Sequence, residues 1–290
     1  MKLLVTGASG HLGHLVVESL LERGVPASDV VAIARTPEAI ADLAERGVEV
    51  RRADYNDPAS LEAAFAGIDR LLLVSGSEVG QRIPQHRNVI DAAKAAGAGF
   101  VAYTSITGAD TSDLALAAEH RETEQLLAAS GLPHALLRNS WYLENYTGQA
   151  ATALEHGAVL GAAGEGRVSA ATRADYADAA AVVLAGEGHE GAVYELGGDH
   201  AFTLAEYVAA LSRVSGREVA YRDLSVEDYT AALVAAGLPE GYAAVLADSD
   251  RGLSQGALFT DSGDLSRLTG RPTTDLETAL RAALPTANTA

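Results

Sequence analysis

The residues best suited to chemistry in this chain are the glycines of residues 6–13, which read TGASGHLG. Gly7, Gly10 and Gly13 lie between an apolar run and a helical pattern. In such a turn the first glycine permits a sharp bend, the second lets backbone N–H groups approach a phosphate, and the third lets the helix pack closely on the strand. The helix N-terminus adds unpaired donors and a partial positive charge. The spacing predicts a dinucleotide diphosphate site, with a ligand-free glycine turn as the alternative.

The end of the second apolar run distinguishes the two nicotinamide coenzymes. Sites that prefer NAD place an acid there, about 20 residues beyond the glycines, to bind the ribose hydroxyls. This chain has Arg35 and Thr36 instead. A guanidinium binds a 2′-phosphate with paired donors, whereas an acid would repel it. Arg35 therefore predicts NADPH/NADP as the cofactor, with a solvated surface arginine as the alternative.

A Tyr-x-x-x-Lys pair, which transfers a proton in many reductases, is missing from the sequence. The only lysines are Lys2 and Lys94, and the residue four before Lys94 is Ile90. In the helix where the pair is expected, Leu116 and His120 stand at the two positions. His120 is a candidate acid, base or cofactor contact. The alternative is a partly exposed helical histidine without a role in the site.

A cluster of aromatic and polar side chains, RNSWYLENY, follows the sixth apolar run at residues 138–146. Flat aromatic walls with a few hydrogen-bonding groups suit a planar ligand. Trp141, Tyr142 and Glu144 are therefore candidate pocket residues, and the alternative is a helix start that packs its aromatics into the core. His11 and His14 have no metal-ligand constellation around them, so we predict no metal site.

Apolar runs alternate with helical patterns through the first half of the chain and position these residues. Such alternation implies parallel strands joined by right-handed crossovers. The predicted fold is α/β, a Rossmann-type doubly wound parallel sheet with a smaller C-terminal α/β cap domain. We assign residues 1–150 to the Rossmann domain and 151–290 to the cap, which can return one strand and helix to the main sheet. The predicted strands are residues 2–6, 30–34, 48–51, 70–75, 99–103 and 134–138, and the glycine-rich residues 157–166 are predicted to form a loop or short hairpin.

The composition excludes several classes of binding partner. The formal net charge of −18 opposes binding to nucleic acid or anionic lipid, because phosphates are repelled. The absence of cysteine excludes disulfides and cysteine nucleophiles. No apolar stretch reaches the roughly 20 residues of a membrane span, and the N-terminus lacks a secretion-signal pattern. We expect a cytoplasmic protein without nucleic-acid or membrane partners. A homodimer is compatible with the sequence, which does not determine the oligomeric state.

Taken together, these segments resemble the NmrA-like atypical short-chain dehydrogenase/reductases, and among them the bacterial NAD(P)H:quinone oxidoreductases of type 2. The likeness covers nearly the whole chain. The stretches that carry it are TGASGHLG from Thr6, VPASDVVAIART from Val25, LLLVSGSEVGQRIPQHRNVI from Leu71, AYTSITGADTS from Ala102, LLRNSWYLENY from Leu136, ATRADYADAA from Ala171, LADSDRG from Leu246 and RPTT from Arg271.

The resemblance implies NADPH as hydride donor and a small planar quinone as acceptor. It also implies a set of cofactor contacts. The phosphate loop comprises Thr6, Gly7, Ala8, Ser9, Gly10, His11 and Leu12, and Arg35 is the 2′-phosphate ligand. The ribose and nicotinamide side comprises Ser75, Gly76, Ser77, Asn139, Ser140, Trp141, Tyr142, Leu143 and Glu144, with Ala170 and Thr172 closing over the cofactor. Ser9, His11 and Gly76 depart from the family pattern, which leaves the role of His11 open.

A quinone acceptor makes the missing Tyr-x-x-x-Lys pair tolerable. The hydroquinone anion formed by hydride transfer is a weak base that takes its proton from water. The protein then acts mainly by positioning two planar partners. The sequence leaves two alternatives: a non-catalytic NADP(H)-sensing regulatory protein of the NmrA-like group, and a reductase or epimerase of another small carbonyl compound.

Overall fold

A seven-stranded parallel sheet forms the centre of the molecule. The computed structural model describes residues 1–78 and 80–284. The strands are β1 Leu3–Val5, β2 Val30–Ala34, β3 Glu49–Arg52, β4 Arg70–Leu73, β5 Phe100–Ile106, β6 His134–Asn139, β7 Ala158–Gly161, β8 Val193–Leu196 and β9 Ala220–Asp223.

The order of the main sheet is β3-β2-β1-β4-β5-β6-β8. Each pair is parallel, and Val5 stands opposite Ala32 on one side and Leu72 on the other. The central strands are apolar on both faces, and β1 and β2 are fully buried, as expected of a sheet covered by helices on both sides. The predicted Rossmann-type fold is therefore confirmed. β5 continues to Ile106, past its predicted end at residue 103.

Helices cover both faces of this sheet. The helices of the described residues are α1 His11–Glu22, α2 Ala41–Glu45, α3 Pro58–Ala64, α4 Arg82–Ala95, α5 Ala115–Ser130, α6 Glu144–Thr147, α7 Ala150–His156, α8 Arg173–Ala185, α9 Leu204–Ser215, α10 Val226–Ala235, α11 Glu240–Ser254, α12 Asp264–Thr269 and α13 Leu276–Ala283. α1 and α8 pack on one face, and α3, α4 and α5 on the other. α1 and α8 are also tied by Asp178, which accepts hydrogen bonds from Ser19 and Arg23.

Local sequence signals start several of these helices. Asp57 accepts hydrogen bonds from the first N–H groups of α3, which has proline at its first position. Thr203 and Glu206 form a capping box at the start of α9. Thr172 caps α8 in the same manner through the N–H of Asp175. These side chains satisfy backbone donors that the helices themselves leave unpaired.

A second apolar core lies in the C-terminal half, between α9, α11, α13 and the loop after β6. β7 pairs in parallel with β9 in a two-stranded sheet. The prediction of a loop or short hairpin for residues 157–166 was therefore wrong in part. The partner strand comes about 60 residues later, because a parallel pair requires a crossover that no local pattern can reveal. Within the described residues, no helix is long and apolar enough to cross a membrane.

The C-terminal half joins the main sheet at its carboxyl edge. β8 pairs with β6, and the N–H of Ser140 donates to the carbonyl of Leu196. The Ser140 hydroxyl donates to the carbonyl of Leu258, and Leu143 N–H donates to Ala171. These contacts bring the segment after β6 against both halves of the chain.

Candidate functional site

The glycine turn after β1 shows the geometry that its spacing predicts. Gly7 has a φ of 60°, a conformation that favours glycine. Gly10 N–H donates to the Gly7 carbonyl, and Ala8 N–H donates to Ile33 of β2. A Cβ on Gly13 would lie 2.4 Å from the Gly7 oxygen, so only glycine lets α1 approach the turn this closely. The result is a rigid bend that points the start of α1 at the carboxyl edge of the sheet.

The start of α1 is open to a ligand. Gly10 is its N-cap, and among the described residues no side chain accepts from its first N–H groups. Ser9, Gly10 and His11 are exposed at this helix end. The donors left unpaired by the helix are therefore available to an anion at the surface.

Three residues of the predicted loop support the turn from below. Thr6, Ala8 and Leu12 are buried. The Thr6 hydroxyl accepts hydrogen bonds from the Val74 N–H and the Tyr55 hydroxyl, so its side chain links β1 to the end of β4. The Thr6 side chain therefore supports the turn and is not open to a ligand.

Arg35 lies one residue beyond β2, at the same edge of the sheet. Its side chain is 69% exposed, and its Nη1 lies 3.2 Å from Oε1 of Glu78. Glu78 follows β4, and its other oxygen accepts from Gln85 Nε2. The guanidinium is thus free to reorient toward a phosphate, but a carboxylate already stands beside it.

Residues 75–77 are held by side chains rather than by strand pairing. Ser75 N–H donates to Thr104 Oγ1, and Gly76 N–H donates to His86 Nε2 at 2.9 Å. The Gly76 carbonyl accepts from Arg82 Nε at 2.5 Å. A Cβ on Gly76 would lie 2.9 Å from Gln85 Oε1. Of the three residues, only Ser77 is fully exposed.

A buried polar cluster beneath these residues contains His86, Tyr103 and His120. The Tyr103 hydroxyl is 2.7 Å from His120 Nδ1, and the rings of His86 and Tyr103 meet edge to face. Burial lowers the pKa of each histidine to about 3, and the nearby Arg82 charge adds to this effect. Both histidines are neutral at physiological pH.

His120 was expected either to line the site or to be a partly exposed helical histidine, and its burial corrects the second expectation. The residue is only 4% exposed and packs between α5 and the sheet. A neutral, buried imidazole bonded to Tyr103 is not a proton donor at neutral pH. We therefore do not retain His120 as a catalytic candidate.

Arg82 and Glu119 form an ion pair next to this cluster. Arg82 Nη1 and Glu119 Oε2 are 3.6 Å apart, and their side chains are 9% and 12% exposed. Neither of these two atoms has a hydrogen-bond partner among the described residues. Arg82 thus contacts both the Gly76 carbonyl and Glu119 of α5.

The segment after β6 divides into structural and accessible residues. Ser140 and Leu143 are buried and anchor it by the hydrogen bonds described above. Asn139 is 4% exposed, and its Oδ1 has no partner among the described residues. Trp141 and Tyr142 are partly buried, and the Trp141 carbonyl accepts from the Tyr176 hydroxyl. Asn139 and Tyr142 thus offer polar groups at the carboxyl edge.

Glu144 binds the start of α8 and not an open pocket. Both carboxylate oxygens accept from the Arg173 N–H, at 2.9 and 3.1 Å. The Arg173 guanidinium lies 3.5 Å from Glu144 and stacks over the Tyr142 ring at 4.6 Å. In the sequence, residues 173–176 fit a helix start and the lining of the same cleft equally well, and in the structure Arg173 begins α8.

Ala170 and Thr172 lie on the opposite side of this segment. Ala170 is 3% exposed, and a Cβ on Gly198 would touch its carbonyl oxygen. Thr172 caps α8, and its hydroxyl donates to Asp175. Ala171, between them, bridges to Tyr142. Ala170 and Thr172 therefore contribute to a site through the position of their backbone and not through their side chains.

The parallel sheet, the open start of α1 and the guanidinium beside it define a dinucleotide-binding protein of the NAD(P)H-binding class. The sequence pattern of the NAD(P)H-binding family matches residues 7–200, and the chain belongs to that family. Within the described residues, no group of three or more His, Cys, Asp or Glu side chains is arranged to hold a metal ion.

Among known proteins, the chain is 58% identical over 272 residues to quinone oxidoreductase 2 of Escherichia coli K12, covering 94% of this chain and 95% of that protein. It resembles the crystal structure of the E. coli NADPH-dependent quinone oxidoreductase QOR2 complexed with NADPH, with 56% identity, a TM-score of 0.95 and coverage of 97% and 99% of the two chains. It also resembles triphenylmethane reductase of Citrobacter sp. complexed with NADP(H), with 40% identity, a TM-score of 0.93 and coverage of 98% and 100%. The resemblance inferred from the sequence is confirmed.

Proposed function

We propose that this chain is an NADPH-dependent quinone reductase that transfers hydride directly from the coenzyme to the quinone. The observation that carries the proposal is the order of groups along one edge of the sheet. Along that edge Arg35 follows β2, the open start of α1 follows β1, residues 75–77 follow β4 and Asn139 ends β6, in the strand order of the main sheet. The chain is 58% identical to quinone oxidoreductase 2. This order matches the 2′-phosphate, diphosphate, ribose and nicotinamide of one NADPH molecule.

The residues fit that coenzyme chemically. The N–H groups at the start of α1 hold the diphosphate, with Ser9, Gly10 and His11 around it. Arg35 holds the 2′-phosphate. The unpartnered Oδ1 of Asn139 accepts from a carboxamide N–H, which would satisfy a buried acceptor that is otherwise costly. When bound, NADPH supplies a hydride.

Trp141 and Tyr142 form the walls of the quinone pocket in this proposal. Arg173 stacks on Tyr142 and fixes the ring, and Glu144 acts by positioning Arg173. The quinone accepts the hydride and becomes a hydroquinone anion. That anion takes one proton from water, so neither the raised pKa of buried Tyr103 nor the lowered pKa of His120 limits the reaction.

The discriminating experiment is NADPH oxidation, followed at 340 nm, with and without 1,4-benzoquinone. We expect turnover that depends on the quinone and is faster with NADPH than with NADH. Coenzyme binding without quinone-dependent oxidation would contradict the proposal. That outcome would favour the non-catalytic sensing protein instead.

Arg35→Asp tests the coenzyme preference. We expect NADPH to bind about a hundredfold more weakly, because a charge-assisted pair is replaced by repulsion, and NADH binding to change by less than about threefold. Arg222→Asp makes the same charge change at an exposed position of β9 and serves as the control. Equal losses for both coenzymes would remove Arg35 from the site.

We also propose that the protein is cytoplasmic, as the sequence predicted, and that it forms a homodimer, which the sequence permits without determining it. Light scattering on the purified protein gives the mass of the assembly, and a monomer would contradict the second part. Cell fractionation tests the first part.

A further inference from the structure

Residues 75–78 receive most of their side-chain contacts from α4. Arg82, Gln85 and His86 lie on one face of its first turns and contact the Gly76 carbonyl, Glu78 and the Gly76 N–H respectively. α5 adds a contact, because Glu119 Oε1 accepts from the Gly80 N–H. Helix positions three and four residues apart share a face, which is why one helix can grip the segment at several points.

The hydrogen bond between Gly76 and His86 is the first of a chain of hydrogen bonds in which each donor and acceptor can be assigned. The Gly76 N–H can only donate, so His86 Nε2 accepts, and the proton of the neutral ring is on Nδ1. Nδ1–H donates to Thr123 Oγ1 at 2.9 Å, and Thr123 donates to the Glu119 carbonyl at 2.9 Å. Every hydrogen of this chain has an acceptor. The position of Gly76 is therefore tied to the backbone of α5.

The N–H and the carbonyl of Gly76 are both hydrogen-bonded to side chains of α4. The Gly76 N–H and carbonyl are bound to His86 and Arg82, and the Ser75 N–H is bound to Thr104. Ordinary strand pairing of β4 with β5 ends at Leu73, so it cannot fix the segment. Side chains of α4 replace the ladder beyond that point.

The cluster is not arranged for stability alone. Arg82 Nη1 and Glu119 Oε2 face each other at 3.6 Å, and no described residue gives either atom a hydrogen bond. Apolar residues of similar size often give a core at least as stable as a buried ion pair does. A buried ion pair without a hydrogen bond between these atoms is therefore not explained by stability alone.

We propose that His86 is a positioning residue that fixes residues 75–77 against the ribosyl-nicotinamide half of the coenzyme, acting through the Gly76 N–H and anchored by Thr123. The inference rests on the proposed function. It predicts that His86 affects only one half of the coenzyme, because the phosphate loop and Arg35 are held by other contacts.

The test compares NADPH with 2′,5′-ADP, which lacks the ribosyl-nicotinamide half, by calorimetric titration of the full chain. In His86→Leu, we expect NADPH to bind about tenfold more weakly and 2′,5′-ADP to stay within about twofold, because one hydrogen bond that orders the segment is lost. His86→Gln keeps an acceptor and should recover most of the affinity. Thermal unfolding checks that each variant is folded.

His120→Leu is the matched control. It removes a second buried histidine that bonds to Tyr103 and not to residues 75–77. We expect it to lower the unfolding temperature without a loss of NADPH affinity beyond about twofold. If His120→Leu weakens NADPH as much as His86→Leu does, the effect is general damage to the core, and the proposal is overturned.

Thr123→Val covers the case in which His86→Leu does not fold. It is nearly isosteric and removes the acceptor of His86 Nδ1–H. We expect about a threefold loss of NADPH affinity and none for 2′,5′-ADP. Unchanged NADPH binding, or equal losses for both ligands, overturns the proposal. A wild-type chain that binds NADPH but does not reduce quinones would contradict the proposed function and leave this inference standing.

Discussion

The two ends of the proposed coenzyme site are built in different ways. At the adenosine end, backbone groups and one exposed arginine face the ligand, and Gly7, Gly10 and Gly13 shape the turn. At the nicotinamide end, residues 75–77 are held by buried side chains from α4 and β5. One end depends on a local bend, and the other depends on contacts between distant elements.

This difference explains which parts of the site the sequence could predict. Glycine spacing reports backbone geometry directly, because a Cβ at Gly13 would collide with the turn whatever the rest of the chain does. His86 shows no such pattern. Its role follows from the packing of α4 against α5, and in the sequence it is one polar residue in a helix.

The same reasoning applies to residues whose surroundings were misjudged. His120 is buried because α5 turns it toward Tyr103, which a helical spacing of single residues does not specify. Glu144 was expected to face a pocket, yet it caps α8, a helix that begins 29 residues later. The fold itself was predictable, since alternating apolar runs and helices define a parallel sheet, but β7 and β9 pair across a long connection.

The substitution that should disrupt the adenosine end most is Gly13→Ala. The new Cβ would stand 2.4 Å from the Gly7 oxygen and 2.9 Å from the Thr6 oxygen, so the backbone of the turn must move. We expect a loss of about 3 kcal/mol or more in the free energy of unfolding, measured in urea, together with loss of NADPH binding.

Gly241→Ala is the matched control, since it is also a helical glycine and an added Cβ has no neighbour within 4 Å. Alanine favours a helix more than glycine does, so this variant should be as stable as the wild type or more stable. A Gly13→Ala protein with normal stability and binding would show that the turn tolerates displacement.

The nicotinamide end should be the acid-sensitive part of the molecule. His86 and His120 have pKa values of about 3 when folded, against about 6.5 when unfolded, so below pH 6.5 the unfolded chain takes up protons that the folded chain cannot. Each histidine should therefore lower the free energy of unfolding by about 2 kcal/mol between pH 6.5 and pH 5. Burial raises the pKa of the neighbouring Tyr103, so this side chain does not titrate in this range.

Urea unfolding of wild type, His86→Leu and His120→Leu at pH 6.5 and pH 5 measures how much each histidine contributes to the pH dependence of the free energy of unfolding. Each variant should lose about 2 kcal/mol of the wild-type pH dependence, whatever its absolute stability. His200→Asn is the control, because this histidine is exposed. If the variants keep the full wild-type pH dependence, the two imidazoles are not held neutral in the folded state.

Glu78 connects the two ends, and its substitution should have the smallest effect. Its Oε1 pairs with Arg35, the proposed 2′-phosphate ligand, while its Oε2 accepts from Gln85 on the helix that carries His86. An incoming 2′-phosphate must compete with this carboxylate for the guanidinium. Because the pair is exposed, its strength is at most about 1 kcal/mol. Glu78→Gln should therefore tighten NADPH binding about threefold and leave NADH binding unchanged, as measured by calorimetric titration at low salt.

The direction of this change decides whether the two ends act separately. Tighter NADPH binding would mean that Glu78 serves mainly as a competitor at the adenosine end, and that residues 75–77 keep their position without its charge. Weaker binding of NADPH and NADH alike would mean that the carboxylate helps to order the nicotinamide end through Gln85. In that case Glu78 would support both the adenosine end and the nicotinamide end. The two ends would then not be structurally independent of each other.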